Sequence, residues 1–518
     1  MSRTHVILVA LGLFAAGCAG YASTRAGTGG HNACLNPGNP DIATCTSIID
    51  TPATSAEQAG TAHLYRGVAY MTKGQSDAAM QDFDATVRLG STLAYAAISN
   101  RGVIYSRQNL AEKAIAEYTE SIRLEPRYAL AFANRGALYS KLGQYDKAIA
   151  DLTEALRLDP KSDMALTNRG WIHGSRHDYA KAIADFDEAI RLNPGLAKAF
   201  NDRGWVFTRQ GKFDQALADL NEAVRLDPTD FQSALNRAHV YGSLGQLPQA
   251  LADFDAALKL DPTDKEALAS RGALLNDMGQ IDKALADAEA ALRVDANYAP
   301  GYIARGLTQL RAGKADLALV DLNTAVTLDP NLFDARYARA LAYERQGMYD
   351  LVIANYDDAL RIDPASAVAY LNRGVAQERL GHDDKALADY SDAARLAPNL
   401  AAARYDMGNI HRKMGQYDAA IADYSEAIRL SPANAQAYTD RGTVHYFLSQ
   451  YDLALADYDK ALALNPKHAP IYYNRGSAFR MKGDTAKAIE NYRKALDLDP
   501  SLSQAKAKLK ELGVIQAL

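Results

Sequence analysis

Sequence motifs for metal binding or catalysis are almost absent from this chain of 518 residues. His173 and His177 stand four residues apart, a spacing that can place two metal ligands on one helix face. His177, however, falls in a predicted turn between two helices, and no third ligand is evident. The HExxH, GxSxG and phosphate-loop motifs of metalloproteases, hydrolases and nucleotide-binding enzymes do not occur. The sequence therefore predicts a protein that is not an enzyme and holds no metal and no cofactor.

The N-terminus carries a pattern typical of export. Arg3 precedes an apolar run over residues 6–16, which is too short to span a bilayer as a helix but fits the apolar core of a secretory signal. Residues 15–18 (Ala-Ala-Gly-Cys) resemble a bacterial lipobox, in which a peptidase cleaves before a cysteine that carries acyl chains. The resemblance implies a signal peptide over residues 1–17 and lipidation of Cys18.

One residue of this motif departs from the pattern. Ala15 stands where a lipobox usually has Leu, so an ordinary signal cleaved after Ala22 stays open. The predicted location is the periplasmic side of a bacterial cell envelope, with membrane attachment through the lipid on Cys18; the alternative is an untethered periplasmic or secreted protein. The formal net charge is −5, and no basic patch indicates binding to nucleic acid.

The two remaining cysteines lie close together in the sequence. If Cys18 is lipidated, Cys34 and Cys45 are an even number in an oxidising compartment, which predicts a disulfide between them. The alternative is two free thiols. Residues 18–40 are rich in Gly, Ser, Thr, Asn and Pro, a composition typical of a flexible tether.

A period of 34 residues dominates the rest of the chain. The Arg-Gly pair at 135–136 starts ten consecutive steps of this length that end at 475–476, without an insertion or deletion. A fixed period of this size indicates one supersecondary unit copied along a line. In the copy over 129–162, apolar and small residues recur at helical spacing on both sides of Gly143, and Pro160 ends the second half. Each copy is therefore predicted to be helix, turn, helix.

These copies resemble tetratricopeptide (TPR) repeats. The residues of the 129–162 copy that match the family's signature positions are Gly136, Tyr139, Ala148, Ala155 and Pro160. The resemblance covers residues 60–502 in thirteen copies. It implies an all-α fold, a right-handed superhelical α-solenoid, with residues 41–59 as an N-terminal capping segment and residues 503–518 as a C-terminal capping helix. An unbroken period predicts one long domain.

An Arg precedes the repeated Gly position in twelve copies, and eleven copies carry Asp or Glu sixteen residues later. Because a half-buried guanidinium needs a compensating charge, Arg135 is predicted to pair with Asp151 on the second helix of its repeat. Asn355 and Asn491 are predicted to interrupt this pairing in their copies.

The resemblance also indicates where a partner would bind. In TPR arrays the first helix of each copy lines the inner groove, mainly through positions 2, 5, 6, 9, 12 and 13, counted with Ala129 as position 1. Position 6 forms a row of amides similar to the asparagine ladder of O-GlcNAc transferase, and an amide can both donate to and accept from a peptide backbone. Position 9 adds two tryptophans and a histidine, and aromatic side chains are typical anchors for a bound chain. The candidate groove residues are Asn134, Asn168, Trp171, Asn201, Trp205, Arg209, Asn236 and His239.

Alternatives remain for these residues. The amides are equally consistent with a tolerated polar residue beside the Arg-Gly pair, and the tryptophans with packing between repeats. The sequence predicts a non-enzymatic scaffold that binds an extended or helical polypeptide and takes no nucleic acid and no small-molecule substrate. The rival from another class is a hydrolase or transferase built on the solenoid.

Overall fold

The computed structural model describes residues 31–36 and 40–514 of the chain. Within them every regular element is a helix. Two short helices, α1 (His31–Cys34) and α2 (Ile42–Ile49), come first, and α29 (Ser503–Glu511) comes last. The predicted signal peptide, Cys18 and most of the predicted tether lie outside the described residues.

Thirteen helix pairs stand between these ends, and they are numbered here as repeats 1 to 13. In chain order the pairs are α3 (Ala56–Thr72) and α4 (Ser76–Arg88); α5 (Ala94–Arg107) and α6 (Ala111–Leu124); α7 (Ala129–Lys141) and α8 (Tyr145–Leu158); α9 (Asp163–Ser175) and α10 (Tyr179–Leu192); α11 (Ala197–Arg209) and α12 (Phe213–Leu226); α13 (Phe231–Ser243) and α14 (Leu247–Leu260); α15 (Lys265–Asp277) and α16 (Ile281–Val294); α17 (Ala299–Arg311) and α18 (Ala315–Leu328); α19 (Phe333–Arg345) and α20 (Tyr349–Ile362); α21 (Ala367–Arg379) and α22 (Asp383–Leu396); α23 (Ala401–Lys413) and α24 (Tyr417–Leu430); α25 (Ala435–Phe447) and α26 (Tyr451–Leu464); α27 (Ala469–Met481) and α28 (Thr485–Leu498).

Residue contacts divide the chain into two compact units. Unit 1 ends at Pro262 and holds repeats 1 to 6; unit 2 begins at Thr263 and holds repeats 7 to 13 with α29. In each unit a helix packs most closely on its partner in the same repeat and next on the adjacent helix of the neighbouring repeat. The predicted all-α solenoid fold is confirmed. No helix among the described residues combines the length and the apolarity that crossing a bilayer requires.

Small residues allow the two helices of a repeat to approach closely. A Cβ added at Gly136 would lie 2.9 Å from Cγ of Leu152 on the second helix, so a larger residue there would force Leu152 to shift. Ala148 and Ala155 on that helix are buried. The turn between the helices places Gly143 at a φ of 73°, in the left-handed region that favours glycine. The predicted helix, turn, helix is confirmed in every copy.

Arg135 on α7 forms hydrogen bonds with residues of two other helices, α6 and α8. Its Nε and Nη2 donate to the two carboxylate oxygens of Asp151 at 2.8 and 2.9 Å, and its Nη1 donates to the Thr119 hydroxyl of the preceding repeat at 2.9 Å. The predicted pair is therefore confirmed, and the arginine also joins neighbouring repeats. The same Arg and acidic pair recurs at Arg66 and Asp82, Arg101 and Glu117, Arg169 and Asp185, Arg203 and Asp219, Arg237 and Asp253, Arg271 and Asp287, Arg305 and Asp321, Arg373 and Asp389, and Arg441 and Asp457.

As predicted, Asn355 and Asn491 interrupt the ion pair in their copies, but each keeps a hydrogen bond to its arginine. Nε of Arg339 donates to Oδ1 of Asn355 at 2.7 Å, and Arg475 donates to Asn491 at 2.8 Å. An amide oxygen occupies the place of one carboxylate oxygen, so the geometry survives while the charge pairing is lost. Burial without a carboxylate partner accordingly lowers the pKa of Arg339.

The N-terminal end of the array is covered by the two short helices. Cys34 and Cys45 are joined as a disulfide with a Cα–Cα distance of 4.8 Å. Both cysteines are buried, and they pack with Ile48 of α2 against Ala62 and Tyr65 of α3. The first repeat helix begins at residue 56, inside the segment 41–59 predicted as a cap.

The C-terminal end is covered by α29. Its Ala505 and Leu509 are buried, and Leu509 packs with Tyr492 of the last repeat. The closing helix predicted from residue 503 is present and ends at Glu511.

Candidate partner-binding face

The candidate site is the surface formed by the first helices of the repeats, at positions 2, 5, 6, 9 and 12, and it is called the A-face below. Position 6 immediately precedes the Arg that joins three helices, so this arginine fixes how each first helix is rotated about its axis. In repeats 2 to 6, position 6 holds Asn100, Asn134, Asn168, Asp202 and Asn236.

In repeats 5 and 6 the polar groups of the A-face bond to one another. Nδ2 of Asn236 donates to Oδ1 of Asn201 in the preceding repeat at 2.9 Å. Nδ2 of Asn201 donates to Asp202 at 3.1 Å, and the Lys198 ammonium lies 2.7 Å from the other oxygen of Asp202. The residue at position 5 of one repeat thus accepts a hydrogen bond from the residue at position 6 of the next. In this part of the row the polar side chains have partners within the protein.

In repeats 2 to 4 one polar atom of each amide in the same row lacks a hydrogen-bond partner, and such amides are called open below. Asn100, Asn134 and Asn168 are 6%, 1% and 5% exposed. Nδ2 of Asn100, Oδ1 of Asn134 and Nδ2 of Asn168 are buried and find no hydrogen-bond partner among the described residues. A buried polar atom left unpaired costs about 1 to 3 kcal/mol, so such atoms call for an explanation such as a ligand or an ordered water.

The position-5 neighbours explain why these amides are open. Leu64 and Ala133 occupy position 5 before Asn100 and Asn168, and neither side chain has a polar atom to offer. Ser99 precedes Asn134, but its hydroxyl is itself buried without a partner. The hydroxyls of Ser106 and Ser140, at position 12, are likewise buried and unpartnered within the described residues. Sequence reasoning missed these serines, although their shared repeat position was a usable signal.

Trp171 and Trp205 are half-buried and contribute to packing between repeats. Trp171 lies with its ring 6.2 Å from that of Tyr145 in the preceding repeat. A Cβ added at Gly174 would lie 3.2 Å from Trp205, so this glycine makes room for the indole of the next repeat. Both indoles pack against the buried Phe186 cluster. Both tryptophans thus contribute to packing, and part of each ring stays at the surface, so their role in binding a partner stays a prediction.

His239 and Arg209 complete the predicted set. His239 lies edge-on to Phe254 with ring centroids 5.3 Å apart, and burial lowers its pKa, so the imidazole is neutral at pH 7. Arg209 is exposed at the last residue of α11. Of the eight predicted residues, the structure joins Asn201 and Asn236 directly, leaves Asn134 and Asn168 open, and places the tryptophans between repeats.

The alternative metal ligands do not come together. His177 sits in the turn at a φ of 64° and bonds to the Tyr179 hydroxyl at 2.8 Å. His173 lies 3.9 Å from Asp178. Among the described residues no group of three or more His, Cys, Asp or Glu side chains is arranged to hold a metal ion.

Comparison with protein families decides the identity of the repeats. Family profiles described as tetratricopeptide repeats match residues 95–128, 129–162, 167–231, 235–301, 310–347, 337–401, 408–448 and 439–503. The chain belongs to the tetratricopeptide repeat family. TPR arrays are protein-interaction scaffolds, and this TPR chain is one by its repeats and fold.

Individual relatives are distant. A 67-residue segment, 13% of this TPR chain, is 34% identical to human tetratricopeptide repeat protein 6, of which it spans 12%. Among solved structures the chain is similar to the APC/C hetero-tetramer Cut9-Hcn1, with 16% identity and a TM-score of 0.49 over 91% of this chain and 98% of that chain. It is also similar to the human IFIT1 dimer with PPP-AAAA, with 19% identity and a TM-score of 0.45 over 71% of this chain and 90% of that chain.

Proposed function

We propose that this TPR protein is a non-catalytic scaffold that holds an extended polypeptide on the A-face of repeats 2 to 4. The observation that carries the proposal is the row of open amides at Asn100, Asn134 and Asn168. Consecutive repeats present these groups at the same position, and an amide can pair with either the N–H or the C=O groups of an extended chain. Each such hydrogen bond contributes roughly 0.5 to 1.5 kcal/mol. Recognition of this kind depends on the peptide backbone more than on its side chains.

The test uses a peptide selected from a random library for binding to the full-length protein. N-methylation of each backbone amide of that peptide in turn should weaken binding about tenfold at one position, because methylation there removes the N–H that donates to the unpartnered Oδ1 of Asn134. Asn134→Ala with Asn168→Ala should weaken binding to a similar extent. Asn297→Ala is the matched control, since this amide is exposed in a loop of unit 2. Binding that is indifferent to N-methylation and to both Asn substitutions would refute the proposal.

The location is part of the same proposal: export to the periplasmic side of a bacterial envelope, with Cys18 carrying the lipid anchor. The lipobox-like residues 15–18 support it, and a Cys34–Cys45 disulfide suits an oxidising compartment. Two or more acyl chains make such an attachment stable, at about 0.8 kcal/mol per buried methylene. The partner is a protein, and neither nucleic acid nor a small-molecule substrate is part of the proposal.

Metabolic labelling with a fatty acid separates the anchored from the untethered protein. Label should enter the wild-type protein and be absent from Cys18→Ala. An unlabelled wild type whose mature N-terminus follows Ala22 would instead establish the untethered alternative. Turnover of a substrate by the purified protein would instead support the alternative that the protein is a hydrolase or transferase.

A further inference from the structure

A cavity of about 360 Å³ opens at the junction of repeats 8 and 9, away from the positions that form the A-face. Its walls are the turn that ends repeat 8 and the two helices of repeat 9, α19 and α20. The lining residues are Pro330, Asn331, Arg336, Asp358, Arg361 and Ile362. The charged groups of this lining are therefore two guanidiniums and one carboxylate.

A change of residue type at repeat position 4 accounts for the open volume. The neighbouring repeats 8 and 10 carry Tyr302 and Tyr370 at this position, and repeat 9 carries Arg336. In repeat 8 the Tyr302 hydroxyl donates to a carbonyl of the preceding turn, that of Ala296, at 3.2 Å. Nε of Arg336 donates to the equivalent carbonyl of its own turn, that of Pro330, at 3.1 Å. The arginine thus keeps the contact to the turn but brings no aromatic ring to fill the space.

The two arginines of the cavity share one carboxylate. Nη1 of Arg336 donates to Oδ2 of Asp358 at 2.6 Å, and Arg361 contacts the other oxygen, Oδ1. In repeats 2 to 5 the acid at this position pairs with the arginine three residues later, as Glu120 does with Arg123 at 2.6 Å. Repeat 9 adds a second guanidinium to such a pair. One negative charge therefore stands against two positive charges.

Both arginines keep N–H groups without an acceptor. A guanidinium has five N–H donors in a planar fork. Within the described part of the chain, Arg336 bonds to Pro330 and Asp358 alone, and Arg361 contacts Asp358 alone. The Arg336 side chain is only 17% exposed, so it is fixed in the wall, while Arg361 is 77% exposed and lies at the rim. The cavity therefore presents free donors from a fixed and an exposed guanidinium.

The carboxylates of the adjoining turns serve the backbone. Asp329 accepts the N–H of Asn331 at 3.0 Å, and Asp363 accepts the N–H of Ala365 at 3.0 Å. Neither forms an ion pair with an arginine among the residues that the structure describes. The free donors of the cavity are thus not supplied with an acceptor by these turns.

The third arginine of repeat 9 adds to the excess of positive charge. Nε of Arg339 donates to the neutral Asn355 at 2.7 Å, and its Nη1 donates to the neutral Asn323 at 2.9 Å. Burial lowers the pKa of Arg339, and the like charge of Arg336 acts in the same direction. A negative charge bound beside Arg336 would relieve this repulsion.

We propose that the cavity between repeats 8 and 9 binds an oxyanion, a carboxylate or a phosphate group, through the guanidiniums of Arg336 and Arg361. Guanidiniums suit such ligands because their parallel N–H groups match two oxygens of one carboxylate or phosphate. The side-chain amide of Asn331 is a further donor in the wall. Asp358 orients both arginines and also repels the ligand. This site is separate from the open amides of unit 1 and does not depend on peptide binding there.

The experiment titrates the full-length protein with inorganic phosphate by calorimetry at low ionic strength, with chloride at equal ionic strength as the reference. Arg336→Tyr introduces the residue type of the neighbouring repeats, so the variant should fold. It should weaken phosphate binding at least about tenfold, because it removes the charged donors and fills the cavity. Circular dichroism checks the fold of each variant.

Arg404→Tyr is the matched control. Arg404 stands at the same position in repeat 11, but its ion pair there is with the buried Asp423 at 3.6 Å, and its Nε is buried without a partner in the described structure. This variant should leave phosphate binding unchanged.

Asp358→Asn tests the charge balance in the opposite direction. Loss of the competing carboxylate should strengthen phosphate binding several-fold, because the two arginines then have no other anion beside them. Asp384→Asn removes a carboxylate from an exposed position in repeat 10 and should leave the affinity unchanged. Unchanged or weaker binding in Asp358→Asn would count against the inference.

Two peptides distinguish the source of the oxyanion. If a short Gly-Ser peptide with a single Glu displaces phosphate and its Gln counterpart does not, the site takes a carboxylate of a polypeptide. Phosphate binding that the Glu peptide does not affect assigns the site to a phosphate group. Equal heats for phosphate and chloride, or phosphate binding that survives Arg336→Tyr, would overturn the inference. Asn134→Ala with Asn168→Ala should leave phosphate binding unchanged, so this result and that of the proposed function are read separately.

Discussion

At the scale of single residues, the guanidinium of Arg135 shows how a half-buried charge is built into each repeat. Its side chain is 17% exposed, and its two contacts to Asp151 are the hydrogen bonds of a bidentate pair. The hydrogen bonds to Asp151 raise the pKa of Arg135. The guanidinium is therefore charged at any working pH, and removal of Asp151 leaves that charge uncompensated.

Substitution of Asp151 should separate the hydrogen bond from the charge. Asp151→Ala is expected to lower the free energy of unfolding by about 2 to 3 kcal/mol, because it removes both the hydrogen-bond acceptor and the compensating charge of Arg135. Asp151→Asn should cost only about 1 kcal/mol, since Asn355 shows that an amide oxygen still accepts from the arginine. Urea unfolding followed by circular dichroism measures both.

The reverse change provides the control. Asn355→Asp should restore the ion pair with Arg339 and stabilise the protein by a few tenths to about 1 kcal/mol. An equal cost for Asp151→Ala and Asp151→Asn would contradict the proposed division between charge and hydrogen bond.

Side-chain contacts within one repeat could be predicted from the sequence, whereas contacts between repeats could not. Contacts inside one repeat, such as Arg135 with Asp151, follow from spacing along two packed helices and were predicted. Whether an amide is open depends on a residue in another repeat: Asn236 is satisfied by Asn201, while Asn168 faces Ala133. Because both asparagines occupy the same position in their repeats, the repeat pattern alone does not predict this difference. The predicted loss of the ion pair at Asn355 holds, but the sequence did not predict the remaining hydrogen bond, in which an amide oxygen takes the place of a carboxylate oxygen.

The carboxyl of Asp406 makes stability depend on pH. Its pKa of about 7 in the folded protein lies above the value of about 3.9 expected for the unfolded chain. The fold therefore favours the protonated form, and the contribution present below pH 4 is lost as the pH rises towards 7. Asp406→Asn should accordingly be more stable than the wild type at pH 8, by roughly 1 to 4 kcal/mol, and should lose this advantage at pH 4.

Thermal unfolding of both proteins across this pH range is the measurement. Asp384→Asn, at an exposed position in the neighbouring repeat, should show no such pH-dependent difference. A constant offset between Asp406→Asn and the wild type from pH 4 to pH 8 would show that the carboxyl does not titrate in this window.

At the scale of elements, each repeat depends on a turn in the left-handed region. Gly415 adopts a φ of 73° there, with nothing within 4 Å of an added Cβ. Ser449 fills the corresponding place in repeat 12 at a φ of 60°. Left-handed backbone costs an L-residue roughly 1 to 2 kcal/mol, whereas glycine adopts it freely at the expense of entropy in the unfolded chain.

Exchanging the two residues should move stability in opposite directions. Ser449→Gly is expected to stabilise the protein by up to about 1 kcal/mol, and Gly415→Ser to destabilise it by about 1 kcal/mol. The loss of the weak contact from the Tyr451 hydroxyl to Ser449, at 3.3 Å, works against the first gain but is smaller. Thermal unfolding of the two variants measures both shifts, and a destabilised Ser449→Gly would mean that this contact outweighs the backbone strain.

At the scale of the whole molecule, the two compact units are stacks in which a repeat touches chiefly its neighbours. Stability in such an array is close to a sum of repeat and interface contributions, so a local defect should stay local. The same architecture lets one fold present different surfaces along its length, since the A-face carries open amides in repeats 2 to 4 and carboxylates in repeats 9 to 12.

A substitution at Gly374 tests how local such a defect is. A Cβ there would lie 2.6 Å from Cε1 of Tyr390, so Gly374→Ala should force α21 and α22 apart and cost about 1 to 3 kcal/mol. Hydrogen exchange should lose protection in repeats 9 to 11 and retain it in repeat 13. Gly242→Ala is the control, because that helical glycine has open space around an added Cβ and should gain slightly in stability. Uniform loss of protection throughout unit 2 would show that the unit unfolds as one cooperative body, with interfaces between repeats stronger than a nearest-neighbour array requires.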